Sequence, residues 1–154
     1  MKQYYLQQIL STIFYLSNKA QSEGDKLDDF ITVKQWMALL TIMHLPKNKA
    51  NYNQIASMMG YSKQNAKKLV AALERKGFVT IEKSESDQRA VQIQISENRK
   101  SFIQDYYKRG TAYLSEMYKE FDESELQMLW NLLKIFAAFG DSNWVGYEER
   151  VPLY

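Results

Sequence analysis

Between Ser62 and Lys76 the sequence sets five cations, Lys63, Lys67, Lys68, Arg75 and Lys76, against the single carboxylate of Glu74. The whole chain nets only +2 at pH 7, so positive charge is gathered here rather than spread. Wound as a helix, the stretch puts Ala66, Leu69, Val70 and Leu73 on one apolar stripe. Gln64, Lys67, Lys68, Ala71 and Arg75 fall on the opposite side. A lysine-rich face that is merely hydrated has the same composition on any surface helix. The same face also suits contact with a polyanion, with ammonium groups for phosphates and an amide for the edge of a base.

Such a helix works only if its neighbours aim it. Asn51 to Met59 reads as a short helix, with Asn51 as its cap and Gln54 at the capping-box position. Gly60 breaks it, and Ser62 is a good cap for the basic helix, which runs to Lys76. Gly77 ends that helix. The gap between the two helices has helix-turn-helix spacing. After Gly77 the period changes: Val79 and Ile81, then Val91, Ile93 and Ile95, alternate as one face of two strands. Ser84-Glu85-Ser86-Asp87-Gln88-Arg89 joins them as a hairpin tip. Helix, turn, helix and hairpin make a winged helix-turn-helix.

These residues resemble the MarR family of bacterial transcriptional regulators. The likeness runs through Ile31–Leu40, Gln54-Ile55-Ala56, Gly60-Tyr61-Ser62 and Leu69–Val79. Its most specific piece is Asp87-Gln88-Arg89-Ala90-Val91-Gln92-Ile93-Gln94-Ile95-Ser96, which follows the family's Asp-x-Arg and alternating strand. By motif it covers about residues 30–100, and by layout the flanking helices. It departs after the wing, where the family usually carries a Gly and this chain has Glu97-Asn98-Arg99-Lys100. The resemblance implies a wing arginine, here Arg89, that enters the minor groove, with Asp87 helping to hold it. On the residues alone, a surface ion pair across the turn fits these two as well.

The flanks read as helices. Over residues 2–22, Leu6, Ile9, Ile13, Leu16 and Ala20 repeat at coiled-coil spacing, widened by Tyr4, Tyr5, Phe14 and Tyr15. That surface fits packing on the chain's own core and a dimer interface equally well. Thr32 caps the next helix, with Gln35 as its box partner and Ile31 and Trp36 as a staple. Trp36, Met37, Leu39, Leu40 and Met43 supply its core, and Pro46 marks its end. After the wing, Ser96 is read as the cap of a helix to about Phe121, with Gly110 marking a close approach or a kink. Asp122 and Glu125 form a capping box for a last helix. Its buried face is read as Leu126, Leu129, Trp130, Leu133, Phe136 and Ala137, and Gly140 closes it. In the tail, residues 141–154, the aromatics Trp144, Tyr147 and Tyr154 fit either a frayed end or a docked one.

Composition bounds the chemistry. With no cysteine, disulfides, thiolate metal sites and the cysteine oxidant sensing of one MarR branch are excluded. His44 is the only histidine, with no ligand cluster near it, so no metal is expected. The sequence has no glycine-rich phosphate loop, nucleophile elbow or His-plus-carboxylate set, so an enzyme is not expected. No apolar run or leader layout points to a membrane or to export, and a cytoplasmic protein is expected.

The expectation is therefore a mainly α (α+β) fold: one winged helix-turn-helix domain over residues 1–154, flanked by N- and C-terminal dimerisation helices. The DNA-binding part spans about 31–95 and the dimerisation helices about 2–22 and 97–140. Double-stranded DNA would meet Ser62, Lys63, Gln64, Asn65, Lys67 and Lys68 on the helix, and Lys83, Ser84, Asp87, Gln88 and Arg89 on the wing. The resemblance implies a homodimer, here through Leu6, Ile9, Ile13, Leu16, Leu129, Leu133 and Phe136. It also implies a small aromatic or lipophilic effector in the cleft between the two parts, with Tyr15, Trp36 and Tyr113 as candidate contacts. No cofactor is expected. The function expected is a ligand-responsive repressor on an inverted-repeat operator. The alternative is a winged-helix protein–protein adaptor that does not touch DNA.

Overall fold

The computed structural model describes residues 1–45, 50–84, 90–140, 144, 146 and 147. The elements run α1 (Lys2–Gly24), α2 (Val33–His44), α3 (Tyr52–Met59), α4 (Lys63–Arg75), β1 (Val79–Lys83), β2 (Val91–Ile95), α5 (Lys100–Met117) and α6 (Glu123–Ala137). The fold is mainly helical, with one two-stranded antiparallel sheet: a winged helix with long helices on either side.

Local chemistry sets most of the boundaries. Thr32, Asn51 and Asp122 each accept from the backbone three residues on, while Gln35, Gln54 and Glu125 reach back to the cap amide. Each box satisfies two amides that a helix start would otherwise leave bare. The sheet pairs Val79 with Ile95, Ile81 with Ile93 and Lys83 with Val91, so the alternating apolar residues share a face. Ala50 extends the sheet, pairing with Ile93 through a 2.9 Å bond to its carbonyl.

The core sits under the helix-turn-helix. Leu39 of α2, Ile55 of α3, Val70 and Leu73 of α4, Phe78, Ile93 and Ile103 are fully or almost fully buried. Burying one such side chain is worth about 1.5–3 kcal/mol. Phe78 lies at the junction of α4 and the sheet and meets Phe30 and Phe102 at centroid distances of 5.7 and 5.2 Å.

Several expectations change. Ser96 makes no side-chain cap; it precedes a single 3-10 turn, Glu97–Arg99, and α5 starts at Lys100 and stops at Met117, short of Phe121. Gly110 has no neighbouring heavy atom among the described residues within 4 Å of where a Cβ would stand, so close approach within the chain does not explain it. The stripe on α6 is not buried within the chain: Leu129, Leu133 and Phe136 are 38%, 41% and 50% exposed. That helix ends at Ala137, three residues before Gly140, and α1 and α6 together bury only Gly24.

Candidate nucleic-acid interface

α3 and α4 are joined by a tight turn. Gly60 takes the left-handed region at φ +66°, where a side chain would be strained. The Tyr61 amide donates to Ala56 at 2.8 Å and the Gly60 amide to Ser57 at 3.3 Å, which satisfies the last carbonyls of α3. Ser62 Oγ then accepts from the Asn65 amide at 3.2 Å and starts α4.

The two faces of α4 separate as expected. Ala66, Val70 and Leu73 are fully buried, and Leu69 packs beside them. Ser62, Lys63, Gln64, Asn65, Lys67, Lys68 and Arg75 are all exposed, and Ala71 is half-buried. The protein thus presents a row of ammonium and amide groups on a rigid helix bolted to the core.

Beside this face lies a groove of about 330 Å³, lined by Asn51, Tyr52, Asn53, Lys63, Lys67, Ala90 and Val91. Lys67 Nζ stands 5.4 Å from the centre of the Tyr52 ring, a cation–π contact that aims the ammonium along the groove. Burial, with a smaller push from Glu74, raises the Tyr52 phenol, so it is a neutral donor at physiological pH. Two ammonium groups and two Asn amides around one groove suit a phosphate-bearing strand. Sequence reading missed Tyr52 and Asn53 here. The usable signal was their place in the first turn of a capped helix, where side chains point outward beside bare amides.

The wing is only partly as expected. Lys83 is exposed at the end of β1, whereas Ser84 is buried at 8% exposure, its amide donating to the Ala90 carbonyl at 2.9 Å. Ser84 therefore closes the hairpin and does not present itself to a ligand. Asp87, Gln88 and Arg89 lie outside the described residues.

Tyr15, Trp36 and Tyr113, the residues expected to meet an effector, sit in three different settings. Trp36 packs into the core, its ring 4.6 Å from that of Tyr106. Tyr15 is 61% exposed on α1, and Tyr113 is half-buried on α5. A cleft between α1 and the helix-turn-helix measures about 350 Å³ and is lined by Ser17, Ala20, Gln21, Val33, Lys34, Met37, Met59, Tyr61 and Tyr147. Spacing along one helix cannot show which turn of α1 faces α2, so these walls were not readable in the sequence.

Leu6, Ile9 and Leu16 on α1 are 58%, 49% and 54% exposed, with Ile13 half-buried. Among the described residues no cluster of His, Asp and Glu could hold a metal ion. His44 is engaged within the chain, its Nδ1 lying 2.8 Å from the Leu40 carbonyl. No described helix is long and apolar enough to cross a membrane.

Residues 31–90 match the model of the MarR family. The HTH-type transcriptional regulator YfiV of Bacillus subtilis (strain 168) is 30% identical over 113 residues, which are 68% of this chain and 71% of YfiV. Among solved structures, S. aureus MepR in complex with DNA superposes with a TM-score of 0.72 at 22% identity, over 83% of this chain and 96% of MepR. The organohalide-sensing regulator RdhR, in its 2,4-dichlorophenol-bound form, gives a TM-score of 0.77 at 13% identity, over 94% of this chain and 90% of RdhR. At such identities the two structures speak to the fold alone.

Proposed function

This chain belongs to the MarR family of DNA-binding transcription regulators, and we propose that it acts as a homodimeric, ligand-responsive repressor of an inverted-repeat operator. The observation that carries this reading is the exposed basic face of α4 with the groove beside it. A merely hydrated face would not need the adjoining groove to gather Lys63, Lys67, Asn51 and Asn53.

Roles divide along α4. Gln64 and Lys68 stand opposite the buried stripe and read base edges, Gln for adenine and Lys for guanine. Ala71 continues that line and is small enough to let the helix sink into the major groove. Lys63 and Lys67 flank it and meet phosphates. Lys83, Asp87, Gln88 and Arg89 serve the wing, with Arg89 in the minor groove, where a narrow negative channel favours a guanidinium. The effector is a small aromatic or lipophilic compound in the cleft between α1 and α2; RdhR, of like fold, is solved with a chlorophenol. The outer helices α1, α5 and α6 dimerise, and residues 31–95 bind DNA.

The test is to select duplexes bound by the protein from a random pool, then to titrate variants on the selected and a scrambled duplex at two salt concentrations. Gln64→Ala should relax preference at one position per half-site by about 1–3 kcal/mol. Lys67→Ala should weaken all sequences alike and flatten the salt slope by roughly one unit per contact. If Gln64→Ala lowers both affinities equally and Lys67→Ala acts only on the selected duplex, the two roles are reversed. If no duplex is enriched even at low salt, the DNA-binding reading of this face is wrong.

A further inference from the structure

The function proposed so far gives the C-terminal segment no work, yet Trp144, Gly146 and Tyr147 touch three elements. The Trp144 indole N–H donates to the Met58 carbonyl near the end of α3 at 3.3 Å, and the ring packs against Trp130 of α6 at 6.3 Å. The hydroxyl oxygens of Tyr147 and of Thr41 on α2 are 2.7 Å apart. Thr41 is fully buried and donates its own O–H to the Met37 carbonyl at 2.9 Å. Tyr147 is therefore the donor in this pair. Burial raises its phenol pKa, so the proton is present at neutral pH. His44 meets the Tyr147 ring edge-on at 5.0 Å.

Gly146 makes this fit possible. Its φ is +67°, and a Cβ there would stand 2.7 Å from the Trp144 indole and 3.2 Å from that of Trp130. No other residue fits there without moving an indole. Tyr147 is also a wall of the cleft, together with Met59 and Tyr61 at the end of α3.

We propose that Trp144, Gly146 and Tyr147 form a strap that holds the end of α3 to α2 and α6, and so sets how the helix-turn-helix hangs from the outer helices. The strap rests on the DNA-binding, ligand-responsive reading above and gives it a moving part. A compound entering the cleft meets Tyr147. Displacing Tyr147 breaks its bond to Thr41 and loosens the hold of Trp144 on Met58. A change in the cleft thus reaches the reading head without touching a DNA-contact residue.

The experiment compares the full chain with Trp144→Ala, Gly146→Ala and the conservative Tyr147→Phe, by amide hydrogen exchange and by titration on the selected duplex. Exchange at the end of α3 should speed up on the order of tenfold in the first two variants, the size of one net hydrogen bond. Their operator affinity should change by at least about fivefold, the lower end of site-to-site couplings. Tyr147→Phe, which keeps the ring, should shift both readouts in the same direction by less. Lys67→Ala should weaken DNA binding with no change in α3 exchange. Unchanged exchange in all three strap variants overturns the proposal. So does faster exchange with operator affinity within about twofold of wild type. If the wild type binds no duplex, it is the DNA-binding reading that fails, and exchange still decides whether the strap holds α3.

Discussion

Arg109 shows what one side chain does for this fold. Its guanidinium donates to the Leu27 carbonyl at 2.8 Å, to Asp28 at 2.9 Å and to Asp105 at 3.0 Å, and lies over the Tyr106 ring. It thereby ties α5 to the segment between α1 and α2. Burial pushes the Asp28 carboxyl up, but the Arg109 bond and the amides of Phe30 and Ile31 outweigh it, and the pKa sits below the ordinary value. A depressed carboxyl stabilises the fold above its unfolded pKa, about 3.9, and that contribution is lost as pH falls through the folded pKa. Asp28→Asn should therefore lower stability at neutral pH by about 1–3 kcal/mol and flatten the acid limb of stability against pH. Asp28 is only 13% exposed but Arg109 is 41%, so screening favours the lower end. Urea unfolding from neutral pH down to about pH 3 reads this out. An Asn variant that loses as much at the acid end as at neutrality would refute the linkage. None of this was legible beforehand: the partners are 81 residues apart, and nothing in the local sequence sets Asp28 apart from Asp25 or Asp29.

At the level of elements, legibility follows locality. The boxes at Thr32, Asn51 and Asp122 were readable because cap and partner are three residues apart and the chemistry is local. The start of α5 was not, since Ser96 offers the right side chain but the backbone first makes a 3-10 turn. The buried stripe of α4 was readable from its period, whereas the cleft walls were not, since they come from α1, α2, α3 and the tail at once. Two caps separate stability from function. Asn51 Oδ1 accepts from the Asn53 and Gln54 amides at 2.9 and 3.0 Å and also lines the groove beside Lys67. Thr32 caps α2 in the same manner but lies outside that groove. Asn51→Ala and Thr32→Ala should each cost about 1 kcal/mol in thermal or urea unfolding. Only Asn51→Ala should also weaken operator binding, measured well below either melting temperature. Equal weakening in both would mean that the groove acts through stability and does not contact DNA.

For the whole molecule, the question is what covers the outer helices. Leu6, Ile9, Leu10 and Leu16 on α1, and Met128, Leu132, Ile135 and Phe136 on α6, are each about half exposed or more. So large an apolar surface rarely stays bare on a soluble chain. A second copy suits it, because a symmetric dimer covers the same patch on both chains with one interface. Light scattering at micromolar concentration should give twice the 18.1 kDa of one chain. Leu16→Glu and Leu133→Glu place a charge in that interface and should shift the protein towards monomer, while the buried core beneath the helix-turn-helix keeps its melt. Symmetry then makes a demand on DNA. In such a dimer two α4 helices related by a two-fold axis should sit about 34–36 Å apart, and the operator should then carry two inverted half-sites about one helical turn apart. Inserting about five base pairs between them turns one half-site to the far side of the duplex and should abolish the gain of the full operator over a half-site. The monomeric variants should bind full and half operators alike. If the wild type ignores the insertion, the two reading heads are not fixed by the outer helices, and the dimer reading fails even where scattering shows two chains.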